Sequence, residues 1–152
     1  MSPTDNSRAA VADLLNGLLA NAFALYLKTK NFHWHVTGPQ FRDLHLLFDE
    51  QATQIFAITD LVAERARKLG SPALTSIGAI AARQTITDQD DAGLAPQAMV
   101  KELAADNGRL VEQLKALKEA ADAASDVATS ALVDGWVDEA EQRIWFLKAT
   151  AE

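Results

Sequence analysis

Residues 31–70 read NFHWHVTGPQFRDLHLLFDEQATQIFAITDLVAERARKLG, and the second part of this stretch decides the fold. Between Pro39 and Leu69, the residues Phe41, Leu44, Leu47, Phe48, Ile55, Ile58, Leu61 and Val62 recur at the spacing of one helical face. Pro39 suits a first helical turn, where a missing N–H costs nothing. Gly70 and Pro72 stand where a helix should stop. The pattern predicts one long helix over 39–69.

The polar residues of that helix are less ordinary. His45 and Asp49 are four apart, and so are Asp60 and Glu64, so each pair shares a face. Asp49 and Asp60 are eleven apart, close to a whole number of turns, which puts both pairs near one stripe. Along the axis, however, eleven residues span roughly 16 Å. Metal–ligand bonds are only about 2 Å long, so both pairs of one chain cannot hold the same ion. A second copy, antiparallel across a two-fold axis near Gln54 and Ile55, removes the difficulty. His45 and Asp49 of one chain then face Asp60 and Glu64 of the other, and the dimer carries two reciprocal sites. Any one carboxylate on a long helix more often belongs to a solvated face, and a lone histidine more often packs than ligates. The mixture of imidazole and carboxylate, without cysteine, favours a borderline-to-hard metal such as iron or manganese.

Outward from this helix, the chain predicts an all-α single domain over 1–152. It has 152 residues, 49% of them apolar, and no period-2 strand pattern of any length. Residues 1–7 predict a flexible tail without lysine, and Asn6 or Ser7 a cap for a first helix running to about His33. Thr37-Gly38-Pro39 makes a tight corner, so the first two long helices should be antiparallel neighbours. His33 and His35 flank Trp34 at this corner; His33 is assigned to the metal group and His35 to hydrogen bonding within the corner. Beyond Pro72, Thr75 or Ser76 caps a short helix through Ile77, Ile80 and Ala82, and 84–94 reads as an acidic loop. So long a connection, 71–94, carries the chain from one end of a bundle to the other. A further helix starts at Pro96 with Val100, Leu103, Leu110, Leu114, Leu117 and Ala121 inward, and Asn107-Gly108 as a weak spot. The last runs to about Ala149 with Leu132, Val133, Trp136, Val137, Ala140, Ile144 and Leu147 inward. Four long helices and one short one predict a four-helix bundle with an extra helix in its crossover.

Net charge is −7, which disfavours nucleic acid overall, since phosphate binding rests on Lys and Arg. The longest apolar runs look too short for a bilayer, no signal peptide is visible, and cysteine is absent. The expectation is a cytoplasmic protein without a membrane partner.

The run N-F-H-W-H-V-T-G-P-Q-F…L-H-L-L-F-D-E…D-L-V-A-E-R-A…L-G-S resembles the signature of the Dps family, ferritin-like mini-ferritins that protect DNA in stressed bacteria. The resemblance extends to the crossover helix and the C-terminal I-W-F-L segment. It implies a hollow homododecamer with tetrahedral symmetry and iron as the metal. It also implies ferroxidase centres at two-fold interfaces through the second long helix, each with two ferrous ions oxidised preferably by hydrogen peroxide. By position, His33, His45 and Asp49 match the ligands of one subunit, and Asp60 and Glu64 those of the other. Trp34 matches an aromatic beside the centre, and His35 matches no ligand. Acid-lined three-fold pores are implied as well, with Asp122, Asp126 and Asp134 as candidates. Family members that bind DNA directly tend to carry a Lys-rich tail. Here no Lys precedes Lys28 and the chain closes Lys148-Ala-Thr-Ala-Glu152, which predicts weak or absent direct DNA binding, though the nucleoid remains a possible neighbour. Two alternatives are weighed against this. A larger ferritin would place its metals inside each bundle on Glu-x-x-His motifs, which the chain lacks. A non-enzymatic, DNA-associated or structural helical shell would leave the acidic stripe merely solvated.

Overall fold

The computed structural model describes residues 3–151, and among them every regular element is a helix. These are α1 (Pro3–His35), α2 (Phe41–Lys68), α3 (Ile77–Arg83), α4 (Pro96–Ala123) and α5 (Val127–Ala151). Helix α1 begins several residues before Asn6, because Pro3 already occupies a first helical position; residues 3–7 extend the helix instead of forming a tail, and 1–2 lie outside the described residues. Helix α2 starts two residues later than its sequence pattern suggests. Pro39 and Gln40 form the turn before it, since Gly38 takes φ +102° and its carbonyl accepts from the Phe41 N–H at 3.0 Å.

Helix pairing follows from the contacts between side chains. Phe32 meets Phe48 and Phe23 meets Phe56, so α1 and α2 run antiparallel. Asn21 reaches Gln113 and Lys28 reaches Asp106, making α1 antiparallel to α4. Asn107 accepts from Arg143 and Lys118 pairs with Asp134, so α4 and α5 are antiparallel too. Helices α2 and α4 are therefore parallel, and the long crossover exists to make them so. Its short helix is anchored by Ser76, whose hydroxyl accepts from the Ala79 N–H at 3.0 Å. Asn21, 3% exposed, fixes the strap after α3: its carbonyl oxygen accepts from the N–H groups of Thr85 and Ile86.

The core is continuous along the bundle. Leu15, Leu18, Leu25, Phe32, Leu44, Phe48, Ile55, Leu103, Leu110, Leu114 and Leu147 are fully buried. The Asn107-Gly108 pair does not interrupt α4, because Asn107 turns inward: its amide donates to the Leu103 carbonyl and its oxygen accepts from Arg143 Nε at 2.8 Å. Gln51 donates to the Arg143 carbonyl from the other side. Burial pushes the Arg143 guanidinium down to about 10, still charged at neutral pH.

The segment Asp5–His35 of α1 is long and apolar enough to cross a membrane by length and composition, contrary to the expectation that no run would be. Its hydrophobicity is used inside the bundle, where Val11, Leu15, Leu18, Leu19, Ala22 and Leu25 are at most 2% exposed.

Candidate metal centre

Helix α2 carries His45 and Asp49 beside buried Leu44 and Phe48, which fix their height on the bundle surface. The end of α1 brings His33 alongside. The two imidazoles stack with centroids 3.9 Å apart and planes 14° from parallel. Each is pinned by the other's backbone. His33 Nδ1–H donates to the His45 carbonyl at 2.6 Å, and His45 Nδ1–H donates to the His33 carbonyl at 2.7 Å. A carbonyl can only accept, so both Nδ1 atoms carry a proton, and Nε2 is the nitrogen of each ring left to act as a ligand. Outer hydrogen bonds of this kind orient metal-ligating histidines. Phe41 stacks on the outer side of His45 with centroids 4.9 Å apart, closing one face of the ring.

Asp49 lies beside His33 on the same chain. Its Oδ1 lies 3.8 Å from His33 Nε2 and 2.8 Å from Lys30 Nζ. The hydrogen bond from Lys30 is the main cause holding the Asp49 carboxyl below its ordinary value; the positive charge of Lys30 and the two imidazoles act in the same direction, against partial desolvation. The sequence pattern does not single out Lys30, because its pairing depends on how α1 is rotated against α2. Trp34 is 56% exposed, and the Lys30 ammonium lies 5.9 Å from its ring centroid. His35 stays out of the cluster: its Nδ1–H donates to the Asn31 carbonyl and side-chain oxygen, each at 2.8 Å, which is the corner role expected of it.

Asp60 and Glu64 lie farther along α2, outside this cluster. A hydrogen bond with Asp60 and the charge beside it raise the Glu64 carboxyl above its usual range. No three His, Asp or Glu side chains of the single chain converge as a metal cluster among the described residues. Two imidazole Nε2 atoms and one carboxylate, without thiolate, form a donor set that suits a ferrous ion chemically.

The three acids considered for a pore share one surface cleft with Lys118 and Ser130 but are not equivalent. Asp126 caps α5: Oδ1 accepts from the Thr129 N–H at 3.1 Å, Oδ2 accepts from the Thr129 hydroxyl at 2.5 Å, and Arg65 pairs with it at 3.3 Å. Both of its oxygens are committed, so its first role is structural. Asp122 accepts from the Ser130 hydroxyl at 2.6 Å, and Asp134 pairs with Lys118 at 2.7 Å.

Comparison with known proteins bears on the family and the fold. A family described as the ferritin-like domain matches residues 12–152. The DNA protection during starvation protein of Brevibacillus brevis is 35% identical over 142 residues, covering 93% of this chain and 95% of that one. The X-ray structure of Dps from Thermosynechococcus elongatus superposes with a TM-score of 0.95 at 32% identity, covering 99% of this chain and 96% of that one. A Dps protein from Vibrio cholerae O1, described as a member of a broad superfamily of ferritin-like diiron-carboxylate proteins, gives a TM-score of 0.92 at 28% identity over 97% and 92% of the two chains. The match over residues 12–152 and the 35% identity over nearly the whole chain place it in the ferritin-like family, and within that family this protein belongs to the Dps family.

Proposed function

We propose that copies of this chain form a hollow twelve-subunit shell that binds ferrous iron at centres shared between two subunits, oxidises it and stores the ferric product. His33, His45 and Asp49 of one subunit hold the iron together with Asp60 and Glu64 of the partner subunit. The observation that carries this is the reciprocal pinning of His33 and His45 through Nδ1, which leaves Nε2 of each ring as the ligand atom, that of His33 3.8 Å from Asp49. Association through α2 is supported by the apolar side chains it exposes on the single chain, Phe56 at 50% and Leu61 at 48%. The diiron-carboxylate relative supports iron as the substrate.

Carboxylate ligands favour ferric over ferrous iron and so ease electron loss. Two ferrous ions each give one electron to hydrogen peroxide, whose O–O bond breaks; with two waters the products are two FeOOH and four protons. Removing both electrons together avoids the one-electron route to hydroxyl radical. Trp34, beside His33, intercepts stray oxidising equivalents. DNA is protected by removal of iron and peroxide, with little direct binding at a net charge of −7. The shell works in the cytoplasm.

The test is anaerobic Fe(II) addition to the purified assembly, then hydrogen peroxide, following ferric absorbance. His45→Ala/Asp49→Ala should assemble normally and lose fast oxidation. Equal rates in the variant and the wild type would overturn the proposal.

A further inference from the structure

Carboxylate bundles of the ferritin-like kind hold their metals on acids and Glu-x-x-His histidines that project inward from facing helices. Here the inward polar positions of three helices also meet, but they carry two amides and a guanidinium. Gln51 of α2, Asn107 of α4 and Arg143 of α5 are each at most 2% exposed. Arg143 Nε donates to Asn107 Oδ1 at 2.8 Å, and Gln51 Nε2 donates to the Arg143 carbonyl at 3.2 Å. Asp106, beside Asn107, is taken up by Lys28 at 2.8 Å and Arg109 at 2.9 Å. On α1, Thr29 follows Lys28; it is 1% exposed, and its hydroxyl is committed to the Leu25 carbonyl. The three histidines all belong to the end of α1 and the start of α2.

This interior donor set does not fit a metal ion, and it already holds a cation. Arg143 Nη1 has no hydrogen-bond partner among the described residues. Glu139, the acid whose charge reaches the guanidinium, stands one turn away on the exposed side of the same helix. A buried charge with no acid against it repels a second cation strongly, because so little solvent screens the pair. We propose that Arg143 is a resident cation that bars divalent metals from the bundle interior, so that metal is bound only outside the four-helix core. Its neighbours suit that role. Gln51 and Asn107 have the shapes of Glu and Asp without their charge, so they hold the guanidinium and leave it unneutralised. Through these bonds α2, α4 and α5 are tied together from within, the cross-link that a metal supplies in a carboxylate bundle. The inference is independent of the interface centre and would stand if that centre failed.

Co(II) is the probe, since its visible absorption reports the donors around it. The background is the assembled His45→Ala/Asp49→Ala protein, which removes the interface half-site from the measurement. Gln51→Glu/Asn107→Asp then adds two interior carboxylates of unchanged shape. With Arg143 retained, this protein should take up no interior Co(II). With Arg143→His added, it should bind about one Co(II) per chain on two carboxylates and an imidazole. Arg143→Met removes the charge and supplies no nitrogen ligand; it should still bind Co(II) roughly tenfold or more tightly than the protein that keeps Arg143. Equal Co(II) binding with Arg143 and with Arg143→Met, or none in any of the three, would overturn the proposal. A second measurement needs only one conservative change in the wild-type chain. Asn107→Asp sets a carboxylate where an oxygen now lies 2.8 Å from Nε, and should raise the melting temperature by about 2–4 °C. A lower melting temperature would mean that the guanidinium is already balanced, and would overturn the proposal as well.

Discussion

The two halves of α2 carry equal numbers of candidate ligands and treat them oppositely. In the first half, His45 and Asp49 are organised by their own chain: backbone carbonyls orient the imidazoles, Phe41 covers one ring, and Lys30 holds the carboxylate. In the second half, Asp60 and Glu64 lie together on the surface, and the contact between them raises Glu64. Under the proposed shared centre, the organised end of one copy would meet the loosely held acids of the other. The imidazoles must be oriented in advance, whereas the acids can wait for a cation brought by another subunit.

The largest effect should come from splitting the two halves between chains. His45→Ala/Asp49→Ala and Asp60→Ala/Glu64→Ala should each slow iron oxidation by a factor on the order of 100 or more, since even outer-sphere changes cost metal sites 10- to 100-fold. Co-expressed and randomly paired, the two variants should regain about a quarter of the wild-type rate. Half of the dimers are then mixed, and each mixed dimer has one intact centre of its two. No recovery in mixed assemblies would show that each chain works alone.

Next comes stability with and without metal. Zn(II) at about 100 times its dissociation constant should stabilise each filled centre by ~2.7 kcal/mol, and chelation should remove the gain. Replacing Asp49 alone or Asp60 alone should abolish the gain to the same degree if both halves hold one ion. A gain that survives Asp60→Ala would confine binding to the half built by α1 and the start of α2.

These contrasts also mark what is legible in the sequence. The helices are readable because Leu15, Leu18, Leu25, Leu103, Leu110 and Leu114 repeat with the helical period and are all fully buried. Gly70 and Ser76 announce their turns through local chemistry, and the ligand candidates stand out by spacing. The pins on His33 and His45 are invisible there because their acceptors are backbone carbonyls, which every residue has. Lys30 needs the rotation of one helix against another. Asp126 is a different miss. The segment Asp126-Val-Ala-Thr129 has the spacing of a helix cap, and its acidity drew a pore assignment instead.

The cap carries a smaller prediction, extending the distinction between committed and waiting carboxylates. Asp126→Ala should lower stability by about 1–2 kcal/mol, the range for a lost N-cap, in thermal or denaturant unfolding. Iron uptake per assembled shell should change little, because both oxygens of Asp126 already serve Thr129. Asp134 pairs with Lys118 yet is 64% exposed, so Asp134→Asn is the variant that should slow uptake if iron passes this cleft. Slower uptake with Asp126→Ala and unchanged uptake with Asp134→Asn would invert the assignment.

The smallest effect concerns the ends of α2 and α4, which close in the same way with different residues. After α2, Gly70 takes φ +90°, and the Ser71 N–H reaches the Ala66 carbonyl at 3.1 Å. After α4, Ser125 takes φ +56°, and the Asp126 N–H reaches the Ala121 carbonyl at 2.8 Å. Both are left-handed caps satisfying the last carbonyls of a helix. Glycine enters that region without penalty, while an L-residue with a β-carbon loses roughly 1–2 kcal/mol there. Ser125→Gly should therefore stabilise the protein, by less than that full amount because glycine also frees the unfolded chain. Gly70→Ser should destabilise it by a similar amount. If Ser125→Gly lowered the melting temperature instead, the serine would be making a contribution at the α4–α5 corner that its backbone angle does not show.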